Sequence, residues 1–281
     1  MSHRIVRHAS PAAFLGHAGG WLLEAEDRHN VMLGILYAQA GMSAEAAGIY
    51  LATVERDGRV VGCCMRTPYG VLLTEMPEEP LDALVQDLAA AHDAIANVHG
   101  PPDVACGFAD RWIARAGGRR DDGHEQRLYR LDEVCDPPEV PGGLRHARSD
   151  EAGLVEAWGD AFARETHLKV GPSRATIEAW IRSGSLWMWE DHGPACMAVA
   201  HGRTPRGIRI GYVFTPHERR RRGYAAACVA ALSRRMLASG LAFCVLFAEA
   251  SNPTTNRLYQ RIGYRHVTDV REYEIHPEAS T

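Results

Sequence analysis

The sequence lacks any long apolar run. No stretch approaches the roughly 20 consecutive apolar residues that a helix needs to cross a bilayer. The first residues, MSHRIVRHASPAAFLGHAGG, also lack the compact apolar segment of a secretory signal. These two absences argue against an integral membrane protein and against secretion, and they predict a cytoplasmic location.

Cysteine is present but never in the spacing of a metal or redox site. The 281 residues include seven cysteines, none of them in a C-x-x-C pair, and most lie within apolar runs. An odd number without paired spacing argues against a disulfide framework and against a zinc site. We therefore expect reduced thiols and no metal, with Cys196, Cys228 and Cys244 acting as small buried hydrophobic residues.

Lysine is almost absent, since Lys169 is the single lysine among 31 basic residues. The charges are also unevenly divided along the chain. Residues 141–281 carry 19 Lys and Arg against 14 Asp and Glu, whereas the remainder carries 12 against 21. The acidic first half and a pI of about 6.4 argue against nucleic acid as a partner. Any anion site is therefore expected in the second half.

Residues 132–143, DEVCDPPEVPGG, contain three prolines and two glycines, which predicts a linker. The order of elements looks alike on either side of it. Asp57-Gly58 and His192-Gly193 each mark a tight turn between two strands, and each hairpin precedes a further strand and a long helix. The pattern predicts a duplicated α/β unit, with one domain at 1–131 and the other at 144–281.

The second half alternates strands and helices around an arginine-rich loop. Alternating apolar residues predict a strand over 207–214, and apolar residues at helical spacing predict a helix that follows the loop and stops at Gly240. A buried strand is predicted at 241–247, and a further helix from about Pro253. A final strand pair is predicted over 264–275.

The arginine-rich loop lies within VFTPHERRRRGYAAA, residues 213–227, where a strand leads into a helix. The first N–H groups of a helix have no partner within it, and the helix dipole is positive there. Gly223 removes the Cβ that would keep a ligand off the backbone, and the arginines supply fork-shaped donors. This combination predicts a phosphate or pyrophosphate site. A solvated charge run and a nucleic-acid contact are weaker alternatives.

Two segments in the appropriate order resemble motifs of the GNAT superfamily, the acetyl-CoA-dependent N-acetyltransferases. RRRGYA, residues 220–225, resembles the R/Q-x-x-G-x-G/A pyrophosphate loop, and residues 252–264 resemble the N-x-x-[AS]-x-x-L-Y-x-x-x-G-[FY] segment. The resemblance covers roughly 144–275. For residues 1–131 it is an outline, similar to two-domain bacterial members whose first half is a degenerate copy.

The resemblance implies an α/β fold of tandem GNAT-like domains. Each would be a central, mostly antiparallel mixed sheet flanked by helices, with a splayed strand pair in the C-terminal domain. Acetyl-CoA is implied as the cosubstrate, with its pantetheine arm in the splay and its pyrophosphate on the loop. The implied contacts are Val213, Phe214, Thr215, Arg220, Arg221, Arg222, Gly223, Tyr224, Ala225, Asn252 and Asn256.

By the same resemblance Tyr259 matches the family's general-acid tyrosine, which would protonate the leaving thiolate. The alternative is a core aromatic residue whose hydroxyl is satisfied. Glu249, just past the apolar strand, is the candidate base, and a carboxylate that caps the next helix is its alternative. Glu165 and His167 are candidates for contact with the acceptor, whereas His201 is interpreted as a packed or exposed histidine.

The first half lacks such a loop. Its equivalent stretch, YGVLLTEMPEEPLDALVQDL at 69–88, has no glycine after the strand and no arginine. Glu75, Glu78, Glu79 and Asp82 crowd the expected helix start, where carboxylates suit the dipole but would repel a pyrophosphate. One CoA site per chain is therefore predicted, in the second half.

The predicted function is an N-acetyltransferase that moves an acetyl group from acetyl-CoA to a primary amine of a small metabolite. Direct attack in a ternary complex is favoured over an acetyl-cysteine route, because nothing beside the apolar-run cysteines resembles a Cys-His pair. Two other functions stay open: acetylation of a protein N-terminus or lysine, and acyl-CoA sensing without turnover. The identity of the acceptor and the oligomeric state also stay open, and a homodimer is one of the alternatives.

Overall fold

The computed structural model describes residues 3–166 and 170–278. The chain divides into two compact units, of which unit 1 comprises Met1–Arg127 with Thr268–Thr281 and unit 2 comprises Leu128–Val267. Within the described residues, no helix is long and apolar enough to cross a membrane.

Unit 1 is a mixed sheet in the strand order β1-β2-β3-β4-β5-β13, with β6 paired to β13. Its neighbouring strands pair antiparallel except β4 and β5, which are parallel. Its strands are β1 (His3–Arg7), β2 (Tyr50–Arg56), β3 (Arg59–Thr67), β4 (Gly70–Leu73), β5 (Asn97–Gly100), β6 (Arg119–Arg120) and, from Thr268, β13 (Arg265–His276). Its helices are α1 (Pro11–Glu24), α2 (Asn30–Ala38), α3 (Leu81–Ala89) and α4 (Pro102–Ala116).

Helices cover both faces of the unit 1 sheet. Because side chains alternate along each strand, a strand contributes residues to a core on either face. Ala52 and Val54 of β2 pack in one core with residues of α3 and α4, whereas Leu51 packs in a second core with residues of α1 and α2. The first helix starts where the Ser10 hydroxyl accepts a hydrogen bond from the Ala13 N–H at 3.1 Å. Period-two burial therefore sets the layers of this unit.

Unit 2 has the strand order β7-β12-β11-β10-β9-β8. Strands β8 to β11 pair antiparallel in sequence, and β11 pairs with β12 in parallel. Its strands are β7 (His124–Leu131, from Leu128), β8 (Gly143–His146), β9 (Leu186–Glu190), β10 (Pro194–His201), β11 (Gly207–Phe214) and β12 (Phe243–Glu249). Its helices are α5 (Ala152–Glu165), α6 (Arg174–Ser183), α7 (Tyr224–Ala238) and α8 (Pro253–Arg261).

The unit 2 sheet also carries a core on each face. Ile208 and Ile210 of β11 belong to the core that includes α7 and α8, whereas Phe214 belongs to the core that includes α5 and α6. Residues 132–143, predicted as a linker, contain no helix or strand apart from the start of β8. They are attached to unit 2, where the Trp189 indole donates to the Pro141 carbonyl at 2.9 Å.

The two units repeat one topology. Each has four consecutive strands paired antiparallel and a fifth paired in parallel with the fourth. This confirms the predicted tandem α/β fold. The predicted strand pair over 264–275 is wrong, because residues 265–276 form the single strand β13. That run contains neither glycine nor proline to turn the chain.

Candidate functional site

A β-bulge interrupts β11 near its end. Met197 of β10 lies opposite Phe214, and Val199 lies opposite Gly211, so β11 has one more residue than β10 between these pairs. Tyr212 takes up the extra residue with φ of +50°, a left-handed conformation that costs a non-glycine residue about 1–2 kcal/mol. The bulge turns the end of β11 away from its regular course.

Beside the bulge, β11 and β12 separate. Their parallel pairing runs from Gly207 opposite Phe243 to Arg209 opposite Val245, and no register pair follows in the described part of the chain. The described pairing therefore ends at Arg209 and Val245, before the ends of both strands. This confirms the predicted splayed strand pair, and it leaves strand edges that an extended ligand could pair with.

The loop after β11 leads into a helix with open N–H groups. A 3₁₀ turn covers His217–Arg219, and α7 begins at Tyr224. Its first backbone hydrogen bond runs from the Ala227 N–H to the Gly223 carbonyl at 3.0 Å. The N–H groups of residues 224–226 precede that bond, so the helix itself does not satisfy them. Together with the helix dipole, they form a site suited to an anion.

Gly223 holds the backbone in a form that other residues resist. Its φ is +82°, and a Cβ placed there would lie 2.8 Å from a methyl carbon of Val140. Arg221, two residues earlier, also has a positive φ, of +62°. Two left-handed residues in this short loop bring successive N–H groups round the helix start, and the missing side chain keeps the approach to them open. The loop therefore fits a diphosphate group.

The arginines of this loop have different surroundings. Arg220 donates to both carboxylate oxygens of Glu165 at 2.7 and 2.8 Å and to the Thr215 carbonyl at 2.8 Å. Arg221 and Arg222 are exposed and make no hydrogen bond or ion pair to a described residue. Two guanidinium groups are thus available for a ligand phosphate, whereas the third is held by α5.

Tyr224 and Ala225 contribute backbone and shape. The Tyr224 side chain is buried, and its hydroxyl donates to the Asp191 carboxylate in the β9–β10 turn. That contact anchors the first residue of α7, so its N–H group has a defined direction. Ala225 is partly buried against the same core.

The two predicted asparagines are both engaged with the protein. The Asn252 side chain caps α8 by accepting a hydrogen bond from the Thr255 N–H at 3.1 Å. Asn256 is 4% exposed, donates to the carbonyls of Glu249 and Asn252 at 2.9 and 2.7 Å, and accepts from the Tyr129 hydroxyl at 2.8 Å. Asn256 therefore joins the end of β12 to α8.

We expect Asn256→Ala to destabilise the protein far more than Asn252→Ala. Removal of Asn256 leaves the buried Tyr129 hydroxyl without its partner, at about 1–3 kcal/mol, and also removes the second hydrogen bonds to the Glu249 and Asn252 carbonyls. Removal of the Asn252 cap costs about 1 kcal/mol. Urea unfolding followed by circular dichroism measures both effects, and equal shifts of the midpoint would contradict the assigned roles.

Tyr259 is a buried aromatic residue of the unit 2 core. The residue is 6% exposed and meets Tyr264 edge to face, with ring centroids 5.9 Å apart. Its hydroxyl makes no hydrogen bond to a described residue, although buried phenols usually find a partner. Burial, with a smaller effect of the Cys196 and Cys228 thiols, raises the pKa of Tyr259 above its ordinary value. The phenol is therefore a proton donor, not an anion, at neutral pH.

The other predicted polar residues differ in their burial and in their contacts. Glu249 ends β12, is partly buried, and has its carbonyl occupied by the Asn252 N–H at 3.1 Å. Glu165 is held by Arg220. His201 is partly buried, and burial together with the nearby Arg209 charge lowers its pKa to about 3. His167 lies outside the described residues.

Unit 1 has the same parallel strand pair, but carboxylates lie at the start of the helix that follows it. Its helix α3 follows Pro80, and Arg111 pairs with Glu78 and Asp82 at 3.1 and 3.2 Å. The Glu75 carboxylate lies 3.3 Å from the His29 ring, and this hydrogen bond lowers the pKa of Glu75 to about 2 against the opposing effect of burial. Carboxylates and their internal partners thus occupy the place where unit 2 has free amides.

Unit 1 also contains a small group of side chains with the chemistry of metal ligands. The ligand atoms of Asp121, Glu274 and His276 lie within 4.8 Å of one another. Asp121 accepts from the His276 ring at 2.9 Å and also pairs with Arg119. These contacts account for the cluster without an ion.

The bulge at Tyr212 could not be predicted from the sequence, because a left-handed tyrosine has no sequence signature. The bulge lies just beyond the last paired residue of β11 and β12. Gly211 beside it is a partial signal, since a Cβ there would lie 2.8 Å from His201 Nε2. A glycine within a strand often marks such a close approach.

Comparisons with known proteins agree with this geometry. Residues 195–273 match the family model described as FR47-like protein. A Drosophila protein superposes with a TM-score of 0.71 at 15% identity over 99% of this chain and 100% of that one. A GCN5-related N-acetyltransferase from Sphaerobacter thermophilus gives 0.63 at 17% identity over 99% and 98%.

A tandem GNAT protein from the clavulanic acid biosynthesis pathway gives a TM-score of 0.52 at 14% identity, with all of both chains covered. No curated protein matches the sequence significantly. At such low identity these similarities establish the fold alone. The chain therefore has the fold of the GNAT superfamily, repeated in tandem, with an FR47-like segment in its second half.

Proposed function

We propose that unit 2 is an acetyltransferase that moves an acetyl group from acetyl-CoA to a primary amine of a small metabolite. One observation carries the proposal: the parallel pairing of β11 and β12 stops at Arg209, and the chain then reaches an open helix start at Gly223. An extended arm that ends in a diphosphate matches this succession of separated strand ends and open helix amides.

The residues proposed to bind the cosubstrate act mainly through their backbone. Val213, Phe214 and Thr215 present the open edge of β11 to the pantetheine arm. The N–H groups from Arg221 to Ala225 surround the diphosphate, and the free guanidinium groups of Arg221 and Arg222 neutralise its charge and that of the 3′-phosphate. Asn252 and Asn256 shape the wall formed by the start of α8.

When bound, the cosubstrate supplies an acetyl thioester. The neutral amine nitrogen forms a bond to the carbonyl carbon, the carbon–sulfur bond breaks, and the products are an N-acetylamine and the free thiol of CoA. In this scheme Tyr259 donates its phenolic proton to the departing sulfur, and Glu249 accepts the proton that the amine loses, directly or through water. Exchange with solvent restores both groups.

Direct transfer is favoured over an acetyl-cysteine route by the state of the thiols. Cys196, Cys228 and Cys244 are fully buried. Burial raises the pKa of Cys244 to about 12, and the neighbouring Cys196 thiol together with burial raises the pKa of Cys228. A thiol must ionise to act as a nucleophile, so Cys228 and Cys244 remain unreactive at neutral pH.

The direct test of the proposed function is a thiol-release assay with acetyl-CoA and a panel of small amines. Sequential kinetics and N-acetylated products identified by mass spectrometry would support it. Binding of acetyl-CoA without release of thiol from any amine would favour an acyl-CoA sensor, and acetylation restricted to peptides would favour a protein acetyltransferase.

We expect one acetyl-CoA site per chain. The carboxylates at the start of α3 repel a diphosphate, whereas α7 begins with free amides and arginines. Isothermal titration calorimetry should therefore give a stoichiometry near one. As a control, Glu78→Gln combined with Asp82→Asn in unit 1 should leave the affinity of the unit 2 site unchanged. Two equivalent sites in the wild-type chain would refute the assignment.

A further inference from the structure

Four aromatic rings meet on the α5–α6 face of unit 2. Tyr212 lies at the centre, with its ring centroid 4.8 Å from Trp180, 5.4 Å from Phe162 and 6.0 Å from His201. Trp180 and His201 are 6.4 Å apart. We call Phe162, Trp180, His201 and Tyr212 the aromatic platform. Its members come from α5, α6, β10 and β11.

The aromatic platform adjoins the point where β11 and β12 separate. Tyr212 is the left-handed residue of the bulge, and the His201 ring lies directly on the backbone of Gly211. The thioester would lie beside this same stretch of β11 under the proposed function. A molecule on the platform would therefore be next to the proposed reaction centre.

The platform residues are not fully buried in the hydrophobic core. The buried core of this face includes Val155, Ile177, Met188 and Val199, and the platform residues lie at its border, where all four remain partly exposed. Aromatic rings grouped at a partly exposed border provide flat apolar contact area for a ligand. The His201 ring also makes no hydrogen bond to a described residue, so its nitrogens are available to a bound molecule.

The charge beneath the platform is positive. Arg209 pairs across the strands with His201, and burial lowers its pKa to about 10, which leaves the guanidinium charged at neutral pH. Burial and that charge keep the His201 imidazole neutral. A positive charge beside a neutral platform disfavours any ligand with several positive charges.

We propose that the aromatic platform binds the acceptor and selects a primary amine carried on an aromatic or similarly flat apolar group, without a second positive charge. This inference rests on the proposed function. The rings stack on the apolar part of the acceptor, and its amine lies toward the bulge, where the thioester is attacked. Polyamines and polycationic aminosugars lack the flat group and are repelled by Arg209.

The test compares a primary amine on a flat aromatic group with a polycationic amine and with an amine on a polar sugar. Phenethylamine, spermidine and glucosamine serve as probes in the thiol-release assay. We expect kcat/KM for phenethylamine to exceed the other two by at least tenfold. Trp180→Ala should raise the KM for phenethylamine at least tenfold while the KM for acetyl-CoA changes less than twofold, and Trp180→Phe should restore most of the loss.

Tyr69→Ala is the matched control, because Tyr69 is a highly exposed aromatic residue of unit 1 and should leave both KM values unchanged. Saturation-transfer NMR with phenethylamine measures binding without turnover. Turnover that prefers spermidine or glucosamine would overturn the inference and leave the proposed function standing. Binding of phenethylamine that Trp180→Ala weakens, without turnover, would support the platform and contradict the proposed function. If phenethylamine does not bind and none of the three amines is turned over, both the platform inference and the proposed function would be overturned.

Discussion

Gly223→Glu is expected to weaken acetyl-CoA binding by about a hundredfold or more. Any side chain here must adopt a left-handed conformation, which costs about 1–2 kcal/mol, and its Cβ would meet Val140. A carboxylate would also stand among the amides proposed to hold the diphosphate and would repel it. Isothermal titration calorimetry measures the loss. Gly223→Ala, which adds only the Cβ, should fall between this variant and the wild type.

Gly240→Glu separates the binding effect from backbone strain. Gly240 follows the other end of the same helix with φ of +95°, and a Cβ there would meet nothing within 4 Å. The control has the same left-handed strain, and its glutamate is unfavourable beside the negative end of the helix dipole, so it should also lose thermal stability. It should nevertheless bind acetyl-CoA normally. Equal affinity in the two variants would remove the basis for the proposed cosubstrate site.

Tyr259→Phe should lower kcat by about two to three orders of magnitude while the affinity for acetyl-CoA stays within about threefold. The substitution removes only the hydroxyl, and a positioned general acid typically contributes a factor of about 10²–10⁴. Because this hydroxyl bonds to no described residue, its removal should cost little stability. Steady-state thiol release together with calorimetric binding distinguishes a lost proton donor from a lost ligand contact.

Tyr264→Phe is the matched control for Tyr259. The Tyr264 ring is equally buried and packs against Tyr259, but its hydroxyl is 2.9 Å from the Ser233 hydroxyl. Its removal should lower the unfolding free energy by about 1 kcal/mol and leave kcat nearly unchanged. A similar loss of kcat in both variants would indicate a packing role for Tyr259 instead of acid catalysis.

The pH dependence of kcat provides a second test of the role of Tyr259. Acid catalysis needs the protonated phenol, and burial raises the pKa of Tyr259 above the ordinary value of 10.0. The active form is therefore present below that raised pKa, and the proton is lost only at higher pH. The wild-type kcat should not decline between about pH 8 and about pH 10, where an ordinary phenol begins to ionise.

Much of unit 2 could be predicted from the sequence because its signals are local. The period-two run over 207–214 coincides with β11, and Pro253 is the first residue of α8. Gly223 and the arginines before it predicted an open helix start, since a glycine and a helix N-terminus have the same local properties in any fold. The fold class followed from these elements and their order.

Side-chain partners could not be predicted in this way. The resemblance placed Asn256 among the implied cosubstrate contacts, but the sequence could not show that its amide also bonds to the end of β12 and to Tyr129, which is far away in the sequence. Arg220 and its neighbours are alike in the sequence, but only Arg220 is within reach of Glu165. Such distinctions depend on which helices and strands become neighbours.

The sequence by itself determined the kinds of elements, their order, and the segment where a phosphate could meet free amides, because these follow from short-range periodicity and backbone preference. Only the tertiary structure decided where β11 leaves β12, which rings gather around Tyr212, and that β13 from Thr268 onward completes the sheet of unit 1. The physical reason is that strand pairing, bulges and ring contacts join residues distant along the chain. Their energies depend on the whole packed arrangement and leave no local pattern.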